Sequence, residues 1–234
     1  MDLTRQIQTD LYLKTIYSDI YSTLLGSSDS SIKILEIGSG NYSIGSMDTR
    51  LMTSDIDLSV HPDIAFDAQR IPLRDLSIEK IILKDALHHI PDCSKFFDEA
   101  NRILKPCGTI VMYEPYWGLL AQLVYRFIHQ EKFTTSKYSW SFVSTKPFDS
   151  NQAIPYILFH REVFNKFAAA RHFAISSIRP HLGPSFLLSG GVSRRTWVPS
   201  RFLLSMFNWE CKQGNWFNCF RFGVYIQLTK VTTP

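Results

Sequence analysis

The segment LEIGSGN (35–41) holds the first residues whose types and spacing could do chemistry. A short apolar run ends there in Gly38-Ser39-Gly40. Glycine lets a backbone turn sharply and approach a ligand with no Cβ in the way. An open parallel sheet binds ligands at the carboxyl ends of its strands, with the first strand–helix turn the usual place. Glu36, at the end of the same run, could hold a ligand ammonium directly or through water. A lone GxG is weak, because a tight turn without a ligand uses the same residues. The dinucleotide fingerprint needs Gly or Ala at position 43, where Ser43 stands, and this favours a ligand without a pyrophosphate over NAD(P). Asp55 and Asp57 lie 17 and 19 residues beyond Gly38, where a carboxylate accepts hydrogen bonds from both hydroxyls of a ribose. Asp55 is preferred for that role, since DLS at 57–59 already reads as turn chemistry. His88-His89 follow the run 78–87, and either imidazole could take a proton from an acceptor hydroxyl near neutral pH. His89 is marginally preferred over His88, with a pocket-wall or helix-start role as the plainer alternative.

Elements of alternating type must position these groups. Leu3, Ile7, Leu11, Ile16, Ile20 and Leu24 recur near helical spacing, so 3–25 reads as an amphipathic helix closed by the turn formers GSSDSS (26–31). Strands are expected at 32–38, 51–58, 78–87 and 108–115, with a helix over 93–106. Strands alternating with helices argue a parallel sheet with crossover helices. Beyond it, helices are expected at 117–129, 160–172 and 199–210, and strands at 173–181 and 222–231. No repeat or low-complexity tract interrupts the chain.

Five segments in order, LEIGSGN, SDID, FDAQRIPLRD (66–75), ILKDALHHIPD (82–92) and NRILKPCGTIVMYEP (101–115), carry a resemblance. The chain resembles the class I S-adenosylmethionine-dependent methyltransferases, in the subfamily called methyltransferase type 11, over roughly residues 30–116. The resemblance implies an α/β, Rossmann-like sandwich with a mostly parallel seven-stranded sheet whose last strand, 222–231, runs antiparallel. It implies S-adenosylmethionine as cofactor and S-adenosylhomocysteine as product, with Glu36, Gly38, Ser39 and Gly40 at the methionine end and Asp55 at the ribose. Asp67 would meet the adenine amino group with Ala68 and Gln69 alongside, and the segment around His88 and His89 would line the methyl-transfer pocket. Asp85 would buttress the cofactor or its loop, and Glu114 would border the acceptor pocket. Two departures stand out: Asn41-Tyr42 follow the glycine turn, where Tyr42 could crowd the methionine end, and Cys107-Gly108 replace a Gly-Gly pair. Asp67 can accept a hydrogen bond from an adenine amine on chemical grounds alone. Moving a methyl from a sulfonium needs positioning in line more than it needs a metal or a nucleophile.

The 234 residues divide by charge. Residues 1–116 hold 11 Lys/Arg and 17 Asp/Glu, a balance of −6; residues 117–234 hold 14 and 4, a balance of +10, and all five tryptophans. The expected organisation is one domain: an N-terminal helix (1–30), a cofactor-binding core (31–116), two insertions (117–160 and 182–221) forming a helical cap over the carboxyl edge, and the last strand. Long connections in compact domains are usually functional, often lids. The acceptor is therefore expected against Tyr116, Trp117, Arg194 and Arg195. Three readings of this basic, aromatic half compete: an ordinary lid core with a solvated basic face, an anionic acceptor such as a nucleotide sugar or lipid-linked saccharide, and peripheral membrane contact through WGLLAQLVYRFIH or SRFLLSMFNW. Nucleic acid is disfavoured, since no binding motif accompanies the charge. A surface-polysaccharide sugar hydroxyl leads as acceptor, with a quinone-like ring next and a non-catalytic cofactor-binding module as the contrasting class. The four cysteines lack CxxC or Cys/His spacing, so they read as free thiols and exclude a structural zinc. With no signal-like start and no apolar run of about 18–20 residues, the expected location is cytoplasmic.

Overall fold

A computed structural model describes residues 7, 9–26, 31–42, 48–127, 132–136, 140–143, 149–166, 169–191 and 196–231. Seven strands form one sheet: β1 (Ile34–Ile37), β2 (Leu51–Asp55), β3 (Ile64–Ala65), β4 (Ile78–Lys84), β5 (Leu104–Pro115), β6 (Phe173–His181) and β7 (Gly223–Lys230), in spatial order β3-β2-β1-β4-β5-β7-β6. The first five pair in parallel, whereas β7 runs antiparallel between β5 and β6. The sheet is the mostly parallel, seven-stranded one expected, with its antiparallel last strand.

Because side chains alternate across a strand, each strand feeds two cores. Ile34, Ile82, Val111, Tyr113 and Tyr225 face α1 (Leu11–Leu25), where Tyr12, Ile16, Ile20 and Leu24 are buried. Leu35, Ile37, Ile81, Leu83, Ile110, Met112 and Ile226 face the opposite layer, built on α2 (Cys93–Ile103) with Phe96 and Phe97. Asp10 caps α1 by accepting from the Leu13 N–H, and Asp92 caps α2 by accepting from the Ser94 and Lys95 N–H groups. By the same alternation Glu36 and Lys84 turn toward α1, while Glu114 turns toward α2. Parity thus assigns the polar groups of the site to sides before any ligand is considered.

The later elements depart further from the pattern. α3 (Leu119–Phe127) and α5 (Ser200–Glu210) form as expected, and a short α4 (Pro184–Leu188) precedes α5. The helix expected at 160–172 does not form. A π turn (Tyr156–His160) and two 3₁₀ turns (Phe164–Lys166 and Ala169–His172) take its place. Glu162 at φ 55° ends the helical path there. The strand expected over 51–58 stops at Asp55, because Asp57 caps a 3₁₀ turn, Leu58–Val60, by accepting from the Ser59 N–H. The first insertion reaches the carboxyl end of β4: Phe142 N–H donates to Pro91 O, and Asn151 N–H to His88 O. The second packs largely on α1 instead, burying Leu203 and Phe207 of α5 in the same core as Ile16 and Ile20.

Candidate functional site

The glycine turn is built by the strand beside it. Gly38 and Ser39 both donate their N–H groups to Ser54 O, and Gly40 N–H donates to Asp55 Oδ2 at 2.9 Å. Gly38 and Gly40 have φ of 71° and 57°, the left-handed region where a side chain is strained. They differ in surroundings. A Cβ on Gly38 would stand 2.7 Å from the Ala86 Cβ, whereas one on Gly40 would meet nothing within 4 Å among the described residues. Gly38 is therefore required by packing against the β4 turn, and Gly40 faces open space.

Glu36 lies beneath this turn, fully buried, and accepts the Tyr21 hydroxyl at 2.7 Å. Burial, and then the Glu36 carboxylate, hold that phenol far above its ordinary pKa, so it stays a neutral donor. Tyr21 also donates to Tyr42 O, and the Tyr42 ring packs edge-on against Tyr17 at 5.3 Å. Tyr42 is thus drawn toward α1. Lys84 sits 4.8 Å from the Tyr17 ring centroid and 2.8 Å from Asp85 Oδ2. Burial would lower the Lys84 ammonium, but Asp85 and Tyr17 outweigh it and the net shift is upward. Burial would likewise raise the Asp85 carboxyl, and Lys84 turns the net shift downward. Asp85 adopts φ 51° and pairs with this lysine, a partner that the sequence reading did not assign to it.

Asp55, Asp67 and Gln69 stand at the neighbouring strand ends. Asp55 accepts Gly40 N–H on one oxygen and Asp57 N–H on the other, so it fixes the turn as well as ending β2. Asp67 accepts the Gln69 N–H and side-chain amide, which makes the 66–70 segment a self-braced turn alongside Ala68. Ile56, between the two aspartates, is an exposed apolar side chain that sequence reasoning passed over. Arg102 was also missed. Its guanidinium donates to Leu73 O, Ile71 O, Asp75 and Glu99, while Glu99 also accepts Ile71 N–H. One α2 arginine therefore fastens the loop that follows Asp67. It lay inside NRILKP, but no local pattern shows a contact made 27–31 residues away.

The other half of the site follows β4. His88 Nδ1 lies 2.7 Å from Glu114 Oε2, and Glu114 Oε1 accepts the Ala86 and Leu87 N–H groups. Both residues are buried, at 2% and 0% exposure. Glu114, expected at the acceptor pocket, is enclosed and holds the turn after β4 together with His88. The carboxylate pairs with His88, and the His89 ring lies tilted against the His88 ring at 4.4 Å. Beyond Pro115, Tyr116 and Trp117 begin a run of rings. Tyr116–Trp117, Trp117–His160 and Tyr156–His160 have centroids 4.8, 5.7 and 5.0 Å apart, with Arg161 over Tyr156. The π turn, a feature frequent at functional sites, supplies Tyr156 and His160 to this ladder. Ser43, Arg194 and Arg195 fall outside the described residues.

Residues 47–112 match the family model described as a methyltransferase domain. A demethylmenaquinone methyltransferase from Staphylococcus haemolyticus (strain JCSC1435) is 30% identical over 128 residues, 50% of this chain and 53% of that protein. The chain thus spans about half the length of the curated relative it matches. Among solved structures, the YcgJ protein from Bacillus subtilis superposes with a TM-score of 0.54 at 12% identity, covering 93% of this chain and 100% of that one. Geranyl diphosphate C-methyltransferase from Streptomyces coelicolor A3(2), solved with Mg2+, geranyl diphosphate and S-adenosyl-L-homocysteine, gives 0.53 at 14% identity, covering 94% and 80%. The fold is the one these solved structures share, and the likeness to the methyltransferase-domain model lies within it, over residues 47–112.

Proposed function

We propose that the chain transfers a methyl group from S-adenosylmethionine to a small acceptor with a planar, hydroxyl-bearing ring. The observation that carries this reading is the buried Glu114–His88 pair directly after β4, with the Tyr116–Trp117–His160–Tyr156 ladder beyond β5. The residues present suit the cofactor: a glycine turn open at Gly40, an enclosed carboxylate at Glu36 for an ammonium, and carboxylates at Asp55 and Asp67 for ribose and adenine. Exposed Ile56 offers the adenine an apolar face. Bound there, the cofactor supplies a methyl on a positively charged sulfur, ready for in-line transfer over about 3–3.5 Å. With Glu114 beside Nδ1, the favoured tautomer carries its proton on Nδ1 and makes Nε2 the basic nitrogen of the ring. The acceptor's O–H bond would break with its proton going to the imidazole and its electron pair staying on the oxygen, delocalised into the ring. Methylation at that oxygen or at an adjacent ring carbon both begin with this step.

The aromatic ladder and the menaquinone-type relative support the ring over the sugar hydroxyl, which has no group of its own in the described site. A buried carboxylate–imidazole pair beside the proposed cofactor site favours catalysis over a non-catalytic module. Calorimetry with S-adenosylhomocysteine and NADH tests the cofactor, and NADH binding alone would reverse the assignment. Methyl-labelled S-adenosylmethionine incubated with hydroxynaphthoquinol and with nucleotide sugars tests the acceptor. Label in the quinol is expected; label in the sugar alone would refute the ring.

A further inference from the structure

We infer that the face formed by α3 and the 3₁₀ turn Asn215–Phe220 docks on an anionic lipid surface. This inference is independent of the methyl-transfer reading. On α3, Gly118, Ala121 and Tyr125 face the protein: a Cβ on Gly118 would meet the carbonyls of Asn218, Cys219 and Arg221, Ala121 is buried, and the Tyr125 hydroxyl donates to Phe222 O. The opposite side recurs every four residues as Leu119, Leu123 and Phe127, exposed by 67, 49 and 79%. A solvated helix would place its polar side chains there. The adjoining turn repeats the inversion. Trp209, Trp216 and Phe220 all pack on Phe217 within 5.5 Å, yet keep 51, 64 and 38% of their surface exposed. Phe217 is itself buried under Arg221, so the exposed rings stand on a fixed anchor. Isolated exposed apolar residues are ordinary, but six large ones on three neighbouring elements mark an interaction surface.

The charges decide what covers it. Over 119–127 and 199–222 the charged residues are Arg126, Arg201, Glu210, Lys212 and Arg221. Glu210 and Arg221 are buried, so every exposed charge on these segments is positive. A second copy on the same face would bring Arg126, Arg201 and Lys212 against like charges. An anionic bilayer instead satisfies the basic rim while Trp, Phe and Leu enter the headgroup boundary. No described helix is long and apolar enough to cross a membrane, so the contact is peripheral. Both segments adjoin the sheet's carboxyl edge, where β5 ends at Pro115 and β7 begins at Gly223.

Cosedimentation of the full chain with phosphatidylcholine vesicles, with and without phosphatidylglycerol, tests this. Binding should require phosphatidylglycerol and weaken as salt rises. Leu123→Asp with Phe127→Asp should abolish it while leaving circular dichroism and melting temperature unchanged. Arg126→Glu with Lys212→Glu, which gives up the Arg126 guanidinium over Phe133 but none of the exposed apolar residues, should weaken it by roughly ten- to thirty-fold, the scale of two basic side chains leaving an anionic surface. Equal binding by both variants, or no binding to either vesicle, would overturn the inference. So would a dimer in sedimentation velocity that Leu123→Asp with Phe127→Asp dissolves, because the face would then belong to a second copy.

Discussion

Two glycines of one turn should fail in different ways. Gly38→Ala forces a Cβ onto Ala86 at a left-handed φ, so it should lower stability by about 2–4 kcal/mol, combining backbone strain with overpacking. Gly40→Ala meets no neighbour, so the fold should lose only about 1–2 kcal/mol of backbone strain. Its main cost should fall on S-adenosylhomocysteine affinity, since the new methyl enters the open side of the turn. Urea unfolding and calorimetry on both variants separate the two effects; equal affinity losses with equal stabilities would move the ligand away from Gly40. On the proposed reading Glu114 acts through His88, which makes it a positioning residue. Glu114→Gln keeps an oxygen for the Ala86 and Leu87 N–H groups but offers the imidazole a donor in place of an acceptor. Turnover should fall by about 10²-fold, the usual scale of general-base assistance, with cofactor affinity held and the acid limb of the pH–rate profile displaced. A uniform loss with an unmoved pH profile would make the pair structural.

Arg102 shows how one element holds another's loop. Arg102→Ala removes the donors to Leu73 O and Ile71 O and the pairs with Glu99 and Asp75, so the 67–75 loop should loosen from α2. Stability should fall by about 1–3 kcal/mol, the scale of charged hydrogen bonds, and cofactor affinity should weaken although Arg102 reaches no ligand. Hydrogen exchange confined to 67–75 would confirm the route, and unchanged exchange there would exclude it. The Arg102 hydrogen bond also holds the Glu99 carboxyl below its ordinary range. A depressed carboxylate contributes stability above its unfolded pKa, about 4.3, and loses it as pH falls through the lower folded value. The loop should therefore release in acid, below about pH 4, and Glu99→Gln should flatten that dependence. None of this was visible along the chain, whereas β1, β4, α2 and β7 were, because a buried strand and an amphipathic helix write their periods locally. The same locality gave the glycine turn and its carboxylates. It misled at 160–172, where HREVFNKFAAARH has a helical pattern but the chain turns at Glu162, His160 joins the ladder and Phe164 packs on Phe97 in the core. The marginal preference for His89 over His88 had no such local pattern to rest on, because Glu114, which lies beside His88, is 26 residues on and becomes a neighbour only across the sheet.

At the scale of the whole molecule the acidic and basic halves are bolted together across the α1 face. Tyr12 of α1 donates to Ser185 Oγ, Ser185 donates its hydroxyl and its N–H to the two Glu210 oxygens, and Arg221 donates to Glu210 O. Ser185 and Glu210 are fully buried, and Gly183 leaves the carboxylate no room for a Cβ beside it. Ser200 adds a second tie to Asp10, the cap of α1. The first helix therefore depends on residues some 170–200 positions later, and it also supplies Tyr21 to Glu36 beneath the glycine turn. Glu210→Ala should cost about 2–4 kcal/mol, because it leaves both Ser185 donors buried without an acceptor. Tyr12→Phe should cost about 1 kcal/mol. Made together they should cost less than their sum, since the Tyr12–Ser185 bond has lost its anchor once Glu210 is gone. Strict additivity in urea unfolding would show two independent contacts. Cooperation should also appear in native-state exchange, with α1 and 184–210 opening as one unit in the wild type. In Glu210→Ala the later segment should open first, and S-adenosylhomocysteine affinity should weaken in step as α1 loosens its hold on Tyr21. An affinity unchanged while α1 opens would show that the glycine turn stands without the helix.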